Sequence, residues 1–93
     1  MANFIVTYDL NGPRPSHAEM DAHLRQLNGR HGRVLETVWY VGCWLTEVQL
    51  REYLLSILSQ NDQLLVARAK EAAWLRLLVT NASLLEAWEQ YRD

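Results

Sequence analysis

The chain has 93 residues, of which 49% are hydrophobic and 22% are charged, and its formal net charge is −2. This length suits one domain with a single core, and the composition is that of a compact globular protein rather than a disordered segment. The negative balance argues against broad, nonspecific binding of nucleic acid through counterion release. We therefore expect one domain over residues 1–93.

Targeting and cysteine signals are sparse. No basic segment followed by an apolar one opens the chain, and no apolar run approaches the length of a membrane span, so we expect a cytoplasmic protein with no membrane partner. The single Cys43 cannot form an intrachain disulfide, and we expect it to be a small buried hydrophobe.

The first predicted element is a strand that ends at Asp9. Phe4, Ile5 and Val6 suit a well-covered strand, whereas Asn11-Gly12-Pro13 cannot extend it. Ligands of open α/β sheets bind beyond the carboxyl ends of strands, which makes Asp9 a candidate site residue. The same pattern also fits an aspartate that only starts a turn, by hydrogen bonding to nearby amides.

Two capping boxes predict the starts of the next helices. Ser16-His-Ala-Glu19 opens the first helix, which ends near Asn28-Gly29, and Thr46-Glu-Val-Gln49 opens the second, which runs to about Ser59. Between them, residues 33–41 are rich in β-branched and aromatic side chains and predict strand. One long strand and a pair that splits near residues 36–38 both fit this stretch.

The last third of the chain predicts three short elements. Residues 63–68 read as a strand after a polar loop, and residues 74–78 read as a further strand. Ser83-Leu-Leu-Glu86 is a third capping box and predicts a short terminal helix. We expect Leu84, Leu85, Trp88 and Tyr91 to lie along its inner side.

This order of elements predicts an α+β fold. Two interleaved strand-helix-strand units give a ferredoxin-like βαββαβ sandwich with both long helices on one face of the sheet, plus an appended C-terminal strand and short helix. The other face would then lack cover. We expect a second copy to bury it, so that the protein is a homodimer packed through this sheet face.

Several short motifs carry a family resemblance. Thr7-Tyr-Asp-Leu-Asn11, Arg33 with Thr37-Val-Trp39, and Asn61-Asp62-Gln-Leu-Leu-Val66 follow one another at matching spacings. Across about residues 3–70, the chain resembles the small CRISPR-associated Cas-two proteins and their VapD-like relatives. It is most similar to the stand-alone Cas-two-like proteins that are often labelled SinR-like.

The resemblance implies a ferredoxin-like homodimer and, in part of the family, a metal-dependent endonuclease acting on RNA or DNA. It places the key aspartate at Asp9, where two copies facing each other across a dimer axis would hold one Mg²⁺. Tyr8, Arg33 and Trp39 match family positions, and Arg14 matches more loosely. Arg33 and Arg14 would then hold phosphate oxygens.

The histidines and tryptophans can be interpreted as functional residues or as ordinary surface and core residues. His31 lies beside Arg30 and Arg33, and we expect it to contact phosphate. His17 and His23 lack the spacing of metal ligands and fit ordinary surface groups. The tryptophans, Trp39 included, fit base stacking or core packing.

Three functional hypotheses follow. The first is a dimeric Cas-two-like protein that acts on nucleic acid, as a Mg²⁺-dependent endoribonuclease centred on Asp9. The second is a noncatalytic dimer of the same fold that binds nucleic acid or a protein partner, which the net charge of −2 favours. The third is a small-molecule sensor or enzyme with an apolar pocket between sheet and helices.

Overall fold

The computed structural model describes every residue from Met1 to Asp93. The elements follow in the order β1 (Ala2–Asp9), α1 (His17–Arg25), β2 (Arg30–Leu35), β3 (Val38–Cys43), α2 (Glu47–Leu55), β4 (Gln63–Arg68) and α3 (Asn81–Gln90). All neighbouring strands pair antiparallel, in the order β2-β3-β1-β4. The chain is an α+β domain, as predicted. None of the three helices has the length and apolar character that a membrane span requires.

The first face of the sheet, defined as the face that α1 and α2 cover, carries the larger core. Alternate residues of β1 point to this face because successive strand side chains point to opposite sides. The fully buried side chains of this core include Phe4, Val6, Met20, Leu24, Trp39, Val41, Leu50 and Leu54. Cys43 is buried among them, as expected.

Helices α1 and α2 both begin at the predicted capping boxes. The Ser16 hydroxyl accepts a hydrogen bond from the Glu19 amide at 3.2 Å, and the Glu19 carboxylate accepts one from the Ser16 amide at 2.9 Å. Thr46 and Gln49 make the same reciprocal pair at the start of α2. The predictions for both helix ends were less accurate, because α1 stops at Arg25 and not near Asn28-Gly29, and α2 stops at Leu55 and not near Ser59.

Residues 33–41, which fitted either one long strand or a pair of strands, belong to a hairpin. β2 and β3 pair antiparallel, with Leu35 opposite Val38, so Glu36 and Thr37 form the connecting turn. A register shift between Arg33 and Leu35 gives β2 an irregularity near its end. Both strands therefore present side chains to the first face and to the opposite, second face of the sheet.

The sequence predicted that the second face would lack cover within one chain. Instead, α3 covers this face over β2 and β3. Its core consists of Val34, Tyr40, Leu84, Ala87 and Trp88. The side chain of Asn3 in β1 points to the same face and donates to the Trp88 carbonyl at 2.9 Å. An apolar groove of about 230 Å³ lies between this face, α3 and residues 72–77.

The start of α3 differs from the prediction. The helix is capped by Thr80, whose hydroxyl accepts from the Ser83 amide at 3.2 Å, so it begins before the expected box at Ser83. Leu84, Trp88 and Tyr91 are buried as expected, but Leu85 is 53% exposed.

The predicted strand over residues 74–78 is wrong. This segment is irregular, and Arg76 adopts a left-handed conformation with φ of 53°, which breaks an extended run. The Leu78 amide still donates to the Val34 carbonyl at 2.9 Å, so the segment lies beside β2 without forming a ladder.

Candidate functional site

Four of the six predicted site residues meet on the first face. Tyr8 is buried in β1, and Arg33 of β2 lies directly opposite Trp39 of β3. His31 is two residues from Arg33 on the same face, and its ring centroid lies 6.5 Å from that of Trp39. Strand alternation thus brings Tyr8, His31, Arg33 and Trp39 to one region, which we call the Arg33 cluster.

Asp21 of α1 holds the cluster together. The residue is 8% exposed, and its carboxylate accepts from the Tyr8 hydroxyl at 3.3 Å and forms an ion pair with the Arg33 guanidinium. Burial raises the pKa of Tyr8, and the negative charge of Asp21 raises it further, so the phenol stays protonated as a donor. Arg33 is therefore held in one position by a buried carboxylate.

The Arg33 cluster has unmet hydrogen-bonding demand. The Nε atom of Arg33 and the Nε1 atom of Trp39 are buried donors without a protein acceptor. Such groups are uncommon in folded proteins, and they set this region apart from the rest of the core. Asp21 alone does not use all the donors of the Arg33 guanidinium, which has five N–H groups.

A second arginine completes the cluster. The guanidinium carbon of Arg25, at the end of α1, lies 5.5 Å from the centroid of the Trp39 ring, and that of Arg33 lies 5.8 Å from it. Arg25 is exposed and takes part in none of the eight ion pairs of the chain. Two guanidinium groups and an imidazole thus surround one indole. The carboxylate of Asp21 is the one acidic group of the cluster.

Most other cations are already neutralised within the chain. Arg14 is exposed and pairs with Glu19, and this hydrogen bond lowers the pKa of Glu19 to about 2. Arg14 therefore does not join the cluster. The remaining arginines in ion pairs are Arg30, Arg51, Arg68 and Arg92.

Asp9 lies apart from the cluster. It is exposed at the end of β1 opposite Gln63, and as the neighbour of Tyr8 it points to the second face. Within one chain, Asp9 and Arg33 therefore lie on opposite sides of the sheet. The chain has no group of three histidine, cysteine or acidic side chains that could hold a metal ion, so the residues of one subunit do not fit a Mg²⁺ site.

The loop after Asp9 is fixed by Asp62. The carboxylate of Asp62 accepts from the amides of Asn11 and Ser59, each at 2.6 Å, and from the amide of Gly12 at 3.3 Å. These backbone hydrogen bonds lower the pKa of Asp62. The Asn11 and Asp62 motifs therefore have a structural role, because they tie the loop after β1 to the loop before β4.

Sequence reasoning missed Asp21 and Arg25. Both lie on α1 four residues apart, a spacing that puts them on the same side of a helix. That spacing was a usable signal for a charged pair facing β2.

Comparison of the chain with protein-family models, with curated proteins and with solved structures finds no match.

Proposed function

We propose that this protein is a noncatalytic nucleic-acid-binding module of Cas-two-like, ferredoxin-like type. The strand order β2-β3-β1-β4, with α1 and α2 on one face, supports the ferredoxin-like assignment. The observation that carries the functional proposal is the Arg33 cluster, in which Arg33 is fixed by Asp21 beside the unpaired Arg25.

The ligand of this cluster is a phosphate of RNA or DNA. Guanidinium forks match phosphate oxygens, and His31 adds a third donor beside them. Trp39 is only 1% exposed, so it supports the two arginines from below rather than stacking on bases. Contacts of this kind position a backbone and carry little sequence information.

The test is binding of a labelled single-stranded RNA and a duplex DNA at several salt concentrations. Replacing Arg25 by Gln should weaken binding and reduce the slope of log K against log salt by about 1, as expected for one lost phosphate contact. Arg51→Gln is the matched control, since Arg51 is exposed on α2 and pairs with Glu52. Equal binding by both variants and the wild type would refute the proposal.

A second candidate is the Mg²⁺-dependent endonuclease centred on Asp9. The observation in its favour is that Asp9 is an exposed carboxylate at a strand end with no hydrogen bond or ion pair to another side chain. One subunit lacks the remaining ligands, so this function needs a second Asp9 from another copy.

Incubation with RNA and duplex DNA, with and without Mg²⁺, separates the two candidates. The noncatalytic proposal expects no cleavage. Mg²⁺-dependent cleavage that Asp9→Asn abolishes would favour the nuclease, whereas cleavage by this variant at the wild-type rate would point to a contaminant. The homodimer stays a proposal, and its original basis is weaker because α3 covers part of the face expected to pair.

A further inference from the structure

The apolar groove on the second face is a recess with three walls. Val34 and Tyr40 line it from the sheet, and Leu84 and Trp88 line it from α3, each with only 3–5% of its surface exposed. Residues 72–77 close the remaining side, and the enclosed volume is about 230 Å³. Ligand sites are typically concave in this way. A flat protein surface cannot fill such a recess, whereas a small molecule can.

Hydrogen bonds at both ends hold residues 72–77 beside the groove. The Trp88 indole donates to the Lys70 carbonyl at 3.0 Å, and the Leu78 amide donates to the Val34 carbonyl at 2.9 Å. The walls therefore stand in place before any ligand binds, as they do in most small-molecule sites.

The groove is large for a domain of this length. Protein interiors are close-packed, and voids larger than a water molecule are few. All eleven residues that line the groove are hydrophobic. Water is held in a cavity only where it finds two to four polar partners, so it is poorly held here. An apolar occupant would restore the packing contacts that the lining lacks.

The polar atoms of the lining side chains are already used within the chain. The Tyr40 hydroxyl donates to the Asn3 amide oxygen at 2.7 Å, and the Trp74 indole donates to the Asn81 amide oxygen at 3.2 Å. The Trp88 indole is paired as well, and the other lining side chains are aliphatic. A charged group would lose its hydration at this lining without finding a partner. The lining therefore selects an uncharged, apolar ligand.

Three aromatic rings of the lining favour an aromatic ligand over an alkyl chain. The ring centroid of Trp88 lies 5.6 Å from that of Tyr40 and 5.9 Å from that of Trp74. The Tyr40 and Trp74 rings are tilted against Trp88 by 30° and 44°. Aromatic molecules prefer offset and edge-to-face contacts, and tilted rings offer both faces and edges to them.

We propose that the apolar groove is a binding site for an uncharged aromatic molecule of one or two rings. The volume sets this size, since a cavity of about 150 Å³ lined by aliphatic and aromatic side chains binds benzene. The groove, at about 230 Å³, has room for a second fused ring. The site lies on the opposite side of the sheet from the Arg33 cluster and does not depend on the proposed phosphate contact.

The first test titrates the protein with naphthalene and follows the indole N–H resonances by NMR. Naphthalene should shift the resonances of Trp74 and Trp88 saturably. It should leave Trp39 and Trp44 in place, because Trp39 lies on the first face and Trp44 is exposed elsewhere. The matched probe is 2-naphthoate, which has the same rings and one carboxylate. Its affinity should be lower by about tenfold or more, because the lining offers the charge no partner.

The second test fills the groove by substitution. Ala73 lines the groove but is exposed, so the fold should tolerate Ala73→Leu while the added carbons occupy part of the volume. This variant should bind naphthalene about tenfold more weakly than the wild type. Ala18→Leu is the matched control, because Ala18 is exposed on α1. Val38→Phe fills the groove from the sheet, and Val48→Phe on α2 is its control.

Sedimentation with and without naphthalene shows whether another copy of the chain occupies the groove instead. The proposal expects the same mass in both conditions. Naphthalene that dissociates a self-associated protein would mean that the groove holds a second copy, which would overturn the proposal.

Three further results would overturn it. They are the absence of a saturable shift at Trp74 and Trp88, filling variants that bind as tightly as their controls, and binding of 2-naphthoate as tight as that of naphthalene. None of these results depends on whether the protein binds RNA.

Discussion

Asn3 joins the second face of the sheet to the last turn of α3, and its replacement by alanine measures how firmly that helix is held. Its amide nitrogen donates to the Trp88 carbonyl at 2.9 Å, and its amide oxygen accepts from the Tyr40 hydroxyl at 2.7 Å. The Trp88 carbonyl is among the last four of the helix, which have no partner within it.

The expected cost of Asn3→Ala follows from the groups that it leaves unpaired. Tyr40 and Trp88 are each 3% exposed, so water does not readily replace the lost hydrogen bonds. Each unsatisfied buried group costs about 1–3 kcal/mol, so the free energy of unfolding should fall by about 3 kcal/mol. Tyr40→Phe alone should cost about 1–2 kcal/mol, because it leaves the Asn3 amide oxygen unpaired.

The assay is a double-mutant cycle measured by denaturant unfolding with tryptophan fluorescence. In the Asn3→Ala background, Tyr40→Phe should cost almost nothing, since the hydroxyl has already lost its acceptor, which gives a coupling of about 1–2 kcal/mol. Tyr53→Phe is the control: it loses a 2.7 Å hydrogen bond to the His23 carbonyl and should show no coupling to Asn3. A cost below about 0.5 kcal/mol with no coupling would mean that α3 does not pack on the sheet as described.

Two further predictions concern carboxylates. Asp21→Asn should lower the pKa of Tyr8 in an ultraviolet titration, yet leave it above the ordinary value because burial, the larger cause, persists; an unchanged pKa would contradict the Tyr8–Asp21 contact. The folded-state pKa of Asp62 is lowered, so its stabilising effect is present above the ordinary carboxyl pKa and is lost as the pH falls below about 4. Asp62→Asn should therefore flatten the loss of thermal stability on acidification, and a variant with the wild-type pH profile would rule out this role.

Elements set by local hydrogen bonds could be predicted from the sequence. Ser16 with Glu19 and Thr46 with Gln49 place the starts of α1 and α2 because each capping box closes within four residues. The strand at 63–68 was predicted with its observed bounds, since a polar loop precedes an apolar run.

The packing of the C-terminal region could not be predicted in this way, because tertiary contacts decide it. The 74–78 segment has a strand-like composition, but the left-handed Arg76 bends it and α3 occupies the second face. The predicted capping box at Ser83 does not begin α3. Thr80 caps the helix, which therefore begins earlier than predicted. The terminal helix and the burial of Leu84, Trp88 and Tyr91 were predicted, but no local signal showed that this helix packs on the second face.

The site was only partly predictable for the same reason. Alternation along β2 and β3 is enough to group His31, Arg33 and Trp39, and the adjacency of Tyr8 and Asp9 already implies that they point to opposite faces. The ion pair of Arg33 with Asp21 depends on how α1 is rotated over the sheet, which no local pattern specifies.

The most direct test of the proposed phosphate contact at the Arg33 cluster follows the indole N–H resonances of the four tryptophans by NMR during titration with a short single-stranded RNA. Trp39 lies beneath Arg25 and Arg33, whereas Trp74 and Trp88 lie on the second face and Trp44 is 72% exposed elsewhere. The proposal predicts that the Trp39 resonance shifts with RNA concentration, that the other three stay in place, and that Arg25→Gln suppresses the shift. A titration that moves Trp44 or Trp74 and leaves Trp39 unchanged would contradict it.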